Sequence, residues 1–178
     1  MQDLHLDTPF NRRSRLYLYC NKMAKLLFKR IESHLPKLFE RTCTSMVEPY
    51  LYFNGTCAEA VDFYETVFSG TDKQVMRFKD APPNPQFPMP ETLLELVMHA
   101  EMTIEGTRFS FGDNPDGVVA GDQTTLIVRT SDPENVANWF NQLSVGGVVR
   151  MPLGAQFYAR MYGWVIDRFG IHWQLIAE

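Results

Sequence analysis

Residues 49–70 read PYLYFNGTCAEAVDFYETVFSG. A short run of alternating aromatic residues, Tyr50–Phe53, predicts a strand. Asn54-Gly55 turns the chain. An amphipathic helix follows over 57–68, with Ala60, Val61, Tyr64, Val67 and Phe68 on its apolar stripe. Residues 124–147, TTLIVRTSDPENVANWFNQLSVGG, repeat the same plan. At a shift of 76 positions Phe63-Tyr64 falls on Trp139-Phe140, Val67 on Leu143 and Gly70 on Gly146. Farther on, Gly106-Thr-Arg-Phe-Ser110 falls on Gly170-Ile-His-Trp-Gln174 at a shift of 64. The first copy therefore holds 12 more residues between its helix and its last strand. Internal repetition of this kind sets the architecture before any single motif does. Thr56-x-x-Glu59 and Ser131-x-x-Glu134 both read as capping boxes, and Pro133 suits a first helical turn.

Working outward, each copy is strand, helix, then three strands. Lys73–Lys79 reads as the second strand of copy one, and residues 97–105, VMHAEMTIE, as the third. Ala100, Met102 and Ile104 take one face; His99, Glu101 and Thr103 take the other. Thr107–Gly112 returns as a hairpin partner, with Phe109 and Phe111 toward the helix and Arg108, Ser110 and Gly112 opposite. In copy two, 124–129, 148–151, 158–166 and 171–176 are the strands and 133–144 the helix. Trp173 and Leu175 look at that helix, while His172 and Gln174 look away and Tyr162 and Trp164 share a face. Five prolines between Pro82 and Pro90 exclude a sheet ladder, so this is a loop, fitted equally to a lid or a rigid excursion.

The expected fold is α+β. Paired β-α-β-β-β modules, 47–122 and 123–178, have helices covering one side of the sheet. The remaining face mixes aromatic and polar side chains, the composition of a small-molecule cavity.

The first 45 residues differ in character. They carry net charge +5, against −9 for residues 46–178. Leu16–Phe39 has helical apolar spacing, interrupted at Pro36. Residues 1–45 form a basic extension with three readings: a targeting segment, a surface-binding cationic helix, or upstream sequence before a functional start at Met46. No aromatic or motif context ties its lysines to nucleic acid. No apolar run reaches the length of a membrane span. Cys20, Cys43 and Cys57 form no disulfide framework, which suits a reduced, cytoplasmic setting.

Among candidate site residues, His99 and Glu101 stand two apart on one strand face, a carboxylate placed to orient an imidazole as general base. A purely structural pair is the plain alternative. His172 is a second candidate base or a wall residue. Tyr158, Tyr162 and Trp164 are expected to line the cavity, with Arg108, Ser110 and Gln174 supplying polar contacts. Arg108 and Arg160 suit either an anionic ligand or surface ion pairs. Asp113 and Asp167 sit at strand ends, where cap and turn roles are the default. Cys57 lies in a first helical turn without an evident base and reads as structural.

The segments PYLYFNGTCAEAVDFYETVF, HAEMTIEGTRFSFGD and FYARMYGWVIDRFGIHWQL resemble the vicinal-oxygen-chelate superfamily. That superfamily includes glyoxalase I, the bleomycin-resistance proteins and extradiol dioxygenases. More closely they are similar to the PhnB-like branch, often labelled 3-demethylubiquinone-9 3-methyltransferase. The resemblance covers about residues 47–178 and implies a cupped eight-stranded mixed sheet around a ligand cavity, with helices on its outer face, and usually a homodimer. It also implies metal positions on the first and last strands of each module, which fall near Pro49, Ser110, Thr124 and Gln174. None of these is a good ligand for a divalent transition metal. No glycine-rich strand-to-helix turn supports S-adenosylmethionine binding. The expectation is a metal-independent, cofactor-free small-molecule-binding protein, with His99 and Glu101 as catalytic candidates. The alternatives are a divalent-metal lyase or dioxygenase with a site relocated to His99, Glu101 and His172, and an antibiotic-sequestering protein.

Overall fold

Alternation in the strands and a 3.6-residue period in the helices decide which side chains meet. The computed structural model describes residues 47–82 and 89–178. The basic extension and most of the proline-rich loop lie outside the described residues. The first module comprises β1 (Tyr50–Phe53), α1 (Cys57–Phe68), β2 (Thr71–Arg77), β3 (Val97–Ile104) and β4 (Thr107–Asp113). The second comprises β5 (Leu126–Thr130), α2 (Pro133–Leu143), β6 (Val148–Gln156), β7 (Ala159–Ile166) and β8 (His172–Ala177). Short 3₁₀ turns at Phe78–Asp80 and Glu91–Leu93 flank the proline-rich loop.

The eight strands are divided between two mixed sheets of four, ordered β1-β4-β3-β2 and β5-β8-β7-β6. No ladder joins the two sheets among the described residues. In each, the first strand runs parallel to the last and the other pairs are antiparallel. The hairpin turns before β4 and β8 each place a glycine in the left-handed region, Gly106 at φ 75° and Gly170 at φ 85°. That conformation explains why glycine recurs at the same place in both modules.

One core joins the modules. Tyr64 and Phe68 of α1, Val136, Phe140 and Leu143 of α2, Phe111 of β4, and Trp173 and Leu175 of β8 belong to a single buried cluster. Tyr64 and Phe68 meet the Trp173 ring at centroid distances of 5.4 and 4.9 Å. The Asp167 carboxylate, 3% exposed, sits at this seam. It accepts from Tyr64 Oη (2.7 Å), Trp173 Nε1 (2.8 Å) and the backbone N–H groups of Phe169 (2.9 Å) and Ile171 (3.0 Å). Four donors, two of them charge-assisted side-chain bonds, are what a buried carboxylate requires.

Several local expectations are corrected. Neither capping box forms. Thr56 makes no side-chain cap bond; Asp113 Oδ1 takes the Cys57 N–H instead, at 3.1 Å, and its Oδ2 takes the Val97 N–H at 2.8 Å. At α2 the cap is Asp132, not Ser131, accepting from Glu134 N at 2.9 Å. Aspartate at that position is as good a cap as serine, and it lies one residue closer to Pro133 at the helix start. Thr124 precedes β5 rather than opening it, β6 runs on to Gln156, and Tyr158 falls in the turn between β6 and β7.

Candidate functional site

In each module the sheet face turned from the helices carries the predicted polar residues. On the first sheet, β3 places His99 and Glu101 side by side, and His99 Nε2 lies 3.0 Å from Glu101 Oε1. Antiparallel register sets Glu101 opposite Ser110 and Thr103 opposite Arg108. Arg108 reaches diagonally to pair its Nη2 with Glu101 Oε2. Its Nε lies 3.9 Å from Glu48 Oε1, too far for a hydrogen bond but close enough for charge attraction. Ser110, nearly buried, lies on β4 between Tyr50 of β1 and Glu101 of β3. Sequence reasoning missed Tyr50 and Glu48. Tyr50 Oη lies 3.3 Å from His99 Nδ1, and the Tyr52 ring packs against Tyr50 at 4.6 Å. The alternation of Tyr50 and Tyr52 put both on one face, but the β1–β4 register that carries Tyr50 to His99 is not encoded locally.

The electrostatics of this group are set by Glu101. Burial alone would raise its carboxyl; hydrogen bonds from His99 and Arg108, with the Arg108 charge, more than offset this and hold it below the ordinary glutamate value. An ionised Glu101 accepts only, so His99 Nε2 carries a proton toward it, and in the neutral ring Nδ1 is then an acceptor for the Tyr50 hydroxyl.

On the second sheet, Trp164 lies opposite Gln174, and Tyr162 Oη donates to Gln174 Oε1 at 3.0 Å. Burial, reinforced by Tyr158, pushes the Tyr162 hydroxyl up. Tyr158 is exposed in its turn and meets Tyr162 edge-on at 5.9 Å, so it borders this face rather than lining it. The Trp164 and His172 rings are 6.2 Å apart, and the Arg150 guanidinium sits 5.4 Å over Trp164. Trp164 Nε1 and His172 Nδ1 are buried without a hydrogen-bond partner among the described residues. His172 is 9% exposed and thus a wall residue, not an open base. Arg160 is committed to the carbonyls of Glu178 and Ser131 and is not poised for a ligand.

The structure thus gathers His99, Glu101, Arg108 and Ser110 on one sheet and Tyr162, Trp164, His172 and Gln174 on the other. Among the described residues, clefts of about 440 and 380 Å³ lie elsewhere, one beside Thr56 and Arg168 at the start of α1, the other between Thr107 and Ile127. Neither includes a residue of these two groups. Cys57 is buried; desolvation and then the Asp113 carboxylate push its thiol up, with Arg77 opposing, so it is no nucleophile.

The fit of a divalent metal can be tested on the donor set. Register pairs Tyr50 with Ser110 and Ile127 with Gln174, a phenol, a hydroxyl, an alkyl chain and an amide. These do not suit a transition metal. Ile127, not Thr124, stands beside Gln174. The relocated set of His99, Glu101 and His172 is divided between the two sheets. Among the described residues no three His, Cys, Asp or Glu side chains converge to hold an ion.

Two β-α-β-β-β modules with parallel outer pairs define the glyoxalase/bleomycin-resistance fold of the vicinal-oxygen-chelate superfamily. The chain belongs to the family described as 3-demethylubiquinone-9 3-methyltransferase, whose model matches residues 45–176. It is 30% identical to protein PA1353 from Pseudomonas aeruginosa, covering 76% of this chain and 98% of that one, with a TM-score of 0.67. A Bacillus cereus PhnB protein is 25% identical over 75% of this chain and all of its own, with a TM-score of 0.60. The fosfomycin resistance protein FosX of Listeria monocytogenes, at 12% identity, 76% and 94% coverage and a TM-score of 0.54, shares the fold. Among the described residues no helix is long and apolar enough to cross a membrane.

Proposed function

We propose that this protein binds a small molecule against the polar face of its first sheet, without a metal, and that His99 with Glu101 performs acid–base chemistry there. The observation that carries this reading is the hydrogen-bonded set His99–Glu101–Arg108. It is a half-buried imidazole held by an ionised carboxylate, which is itself held by a guanidinium. A carboxylate that accepts from one imidazole nitrogen fixes the tautomer and makes the other nitrogen, here facing the Tyr50 hydroxyl, the proton acceptor, the arrangement that general-base catalysis uses. The face is aromatic at one end, Tyr50 and Tyr52, and charged at the other, which fits a ligand with a flat apolar body and a polar group.

The second sheet supports the same reading with donors. Trp164 Nε1 is a buried donor that the described residues leave unmet, a position suited to a ligand's acceptor oxygen. We propose also that the protein is a homodimer. Val148, Val149 and Met151 on β6, with Phe157 at 99% exposure in the following turn, present apolar surface and a strand edge unpaired among the described residues that a second copy would cover.

A ligand screen by thermal shift on the full chain tests the binding reading. A compound that raises the Tm of the wild type and loses most of that shift in Arg108→Leu and Glu101→Gln supports it. Shifts indifferent to both substitutions, or none across a broad library of small organic acids, quinones and phosphonates, would remove it.

A further inference from the structure

We propose that Tyr50 is the catalytic residue presented to the ligand, and that Tyr50, His99 and Glu101 form a single proton relay across three strands. This rests on the reading of the first sheet as the site, and it changes which atom does the chemistry. Both ring nitrogens of His99 are engaged: Nε2 faces Glu101 Oε1 at 3.0 Å and Nδ1 faces Tyr50 Oη at 3.3 Å. The imidazole therefore reaches a ligand through the Tyr50 hydroxyl. Exposure agrees. The His99 side chain is 19% exposed, whereas Tyr50 is 40% exposed.

The geometry is built rather than incidental. Tyr50 starts on β1, opposite Ser110, and its ring must cross β4 to reach His99 on β3. It crosses at Gly112. A Cβ added there would stand 2.7 Å from Tyr50 Oη and 3.3 Å from the Met98 carbonyl. The absence of a side chain at 112 is what lets the hydroxyl lie over the strand. The Tyr52 ring packs against Tyr50, with centroids 4.6 Å apart and planes tilted by 30°. Arg108 holds Glu101, and Glu101 holds the imidazole tautomer.

The proton balance is simple. The Tyr50 hydroxyl passes its proton to His99 Nδ1 as its oxygen takes a proton from the ligand. The imidazolium so formed lies against the Glu101 carboxylate. Run backward, the relay delivers a proton to a leaving oxygen. The logic is that of a hydroxyl, imidazole and carboxylate triad, with a phenol in the hydroxyl's place. The same geometry makes Tyr50 Oη a nucleophile: when it attacks an acyl carbon, the proton goes to Nδ1 and the acyl group's former partner leaves.

That property needs no knowledge of the natural ligand. The full chain is treated with limiting N-acetylimidazole, and O-acetylation of each tyrosine is read by peptide mass. Tyr52 and Tyr158, 37% and 53% exposed, are internal references. The relay predicts acetylation of Tyr50 about tenfold or more faster than Tyr52. This advantage should vanish in His99→Gln, whose amide takes no proton, and fall in Gly112→Ala, which displaces the hydroxyl without touching His99. The Tyr158 rate should stay constant in both, reporting an intact fold. A Tyr50 rate no higher than Tyr52, or an advantage that survives His99→Gln, would overturn the proposal. Because no ligand is involved, a failed ligand screen leaves this result standing, and a failed relay leaves binding to the face unaffected.

Discussion

The Asp167 carboxylate gathers donors from both modules at one buried point. Its two oxygens take four donors drawn from two modules while 3% exposed. Asp167→Ala should cost about 3–5 kcal/mol in urea unfolding, because Tyr64 Oη and Trp173 Nε1 are then buried with nothing to accept them. Tyr64→Phe, which removes one donor of four, should cost about 1–2 kcal/mol. Glu101 gives a prediction in pH. Its carboxyl is held below the ordinary glutamate value when folded, so its contribution to stability is present above the unfolded value and is lost as pH falls through the folded one. Wild type should exceed Glu101→Gln in unfolding free energy at pH 7, and the gap should be smaller at pH 3. A gap unchanged between the two pH values would mean that Glu101 is not ionised in its pair.

At the scale of elements, the two helices illustrate how much the chain says about itself. Their spans, the alternation of β3 and β4, and the separation of His99 and Glu101 from Met102 and Ile104 all follow from local periodicity, and the structure shows them. The caps do not follow so simply. Asp113 lies 56 residues beyond Cys57 and caps α1 only because β4 pairs with β1. A pattern of four consecutive residues cannot hold that information. At α2 the true cap, Asp132, was local but stood beside an equally plausible serine. Measured unfolding should separate these cases. Asp132→Ala costs about 1 kcal/mol, whereas Thr56→Ala and Ser131→Ala leave stability within about 0.5 kcal/mol of wild type. The candidate site shows the same division. His99 and Glu101 were legible because they share a strand, and Tyr50 was not, because its place over Gly112 depends on the order β1-β4-β3.

For the whole molecule, the repeat predicted the paired modules, while their division into two sheets of four depends on which edges go unpaired, a property no periodicity reports. The exposed β6 edge and Phe157 lead to a prediction at this scale. Sedimentation of the full chain at micromolar concentration should give a dimer, and Met151→Lys with Phe157→Asp should shift it to monomer with the fold retained. A wild-type monomer under the same conditions would remove the homodimer from the proposed function.

The seam between the modules has a consequence for engineering. A chain made of two like halves looks divisible, and the exposed connector between β4 and β5 invites a cut. Yet the halves are not interchangeable. Tyr64 belongs to the first and Asp167 and Trp173 to the second, and at the matching positions of the repeat the partners are different residues: Phe140 stands where Tyr64 would and Thr103 where Asp167 would. Neither half alone completes the setting of that carboxylate. The two modules depend on each other at this seam, so that a severed protein would have to be rescued by supplying both fragments together, and two copies of either one would not serve.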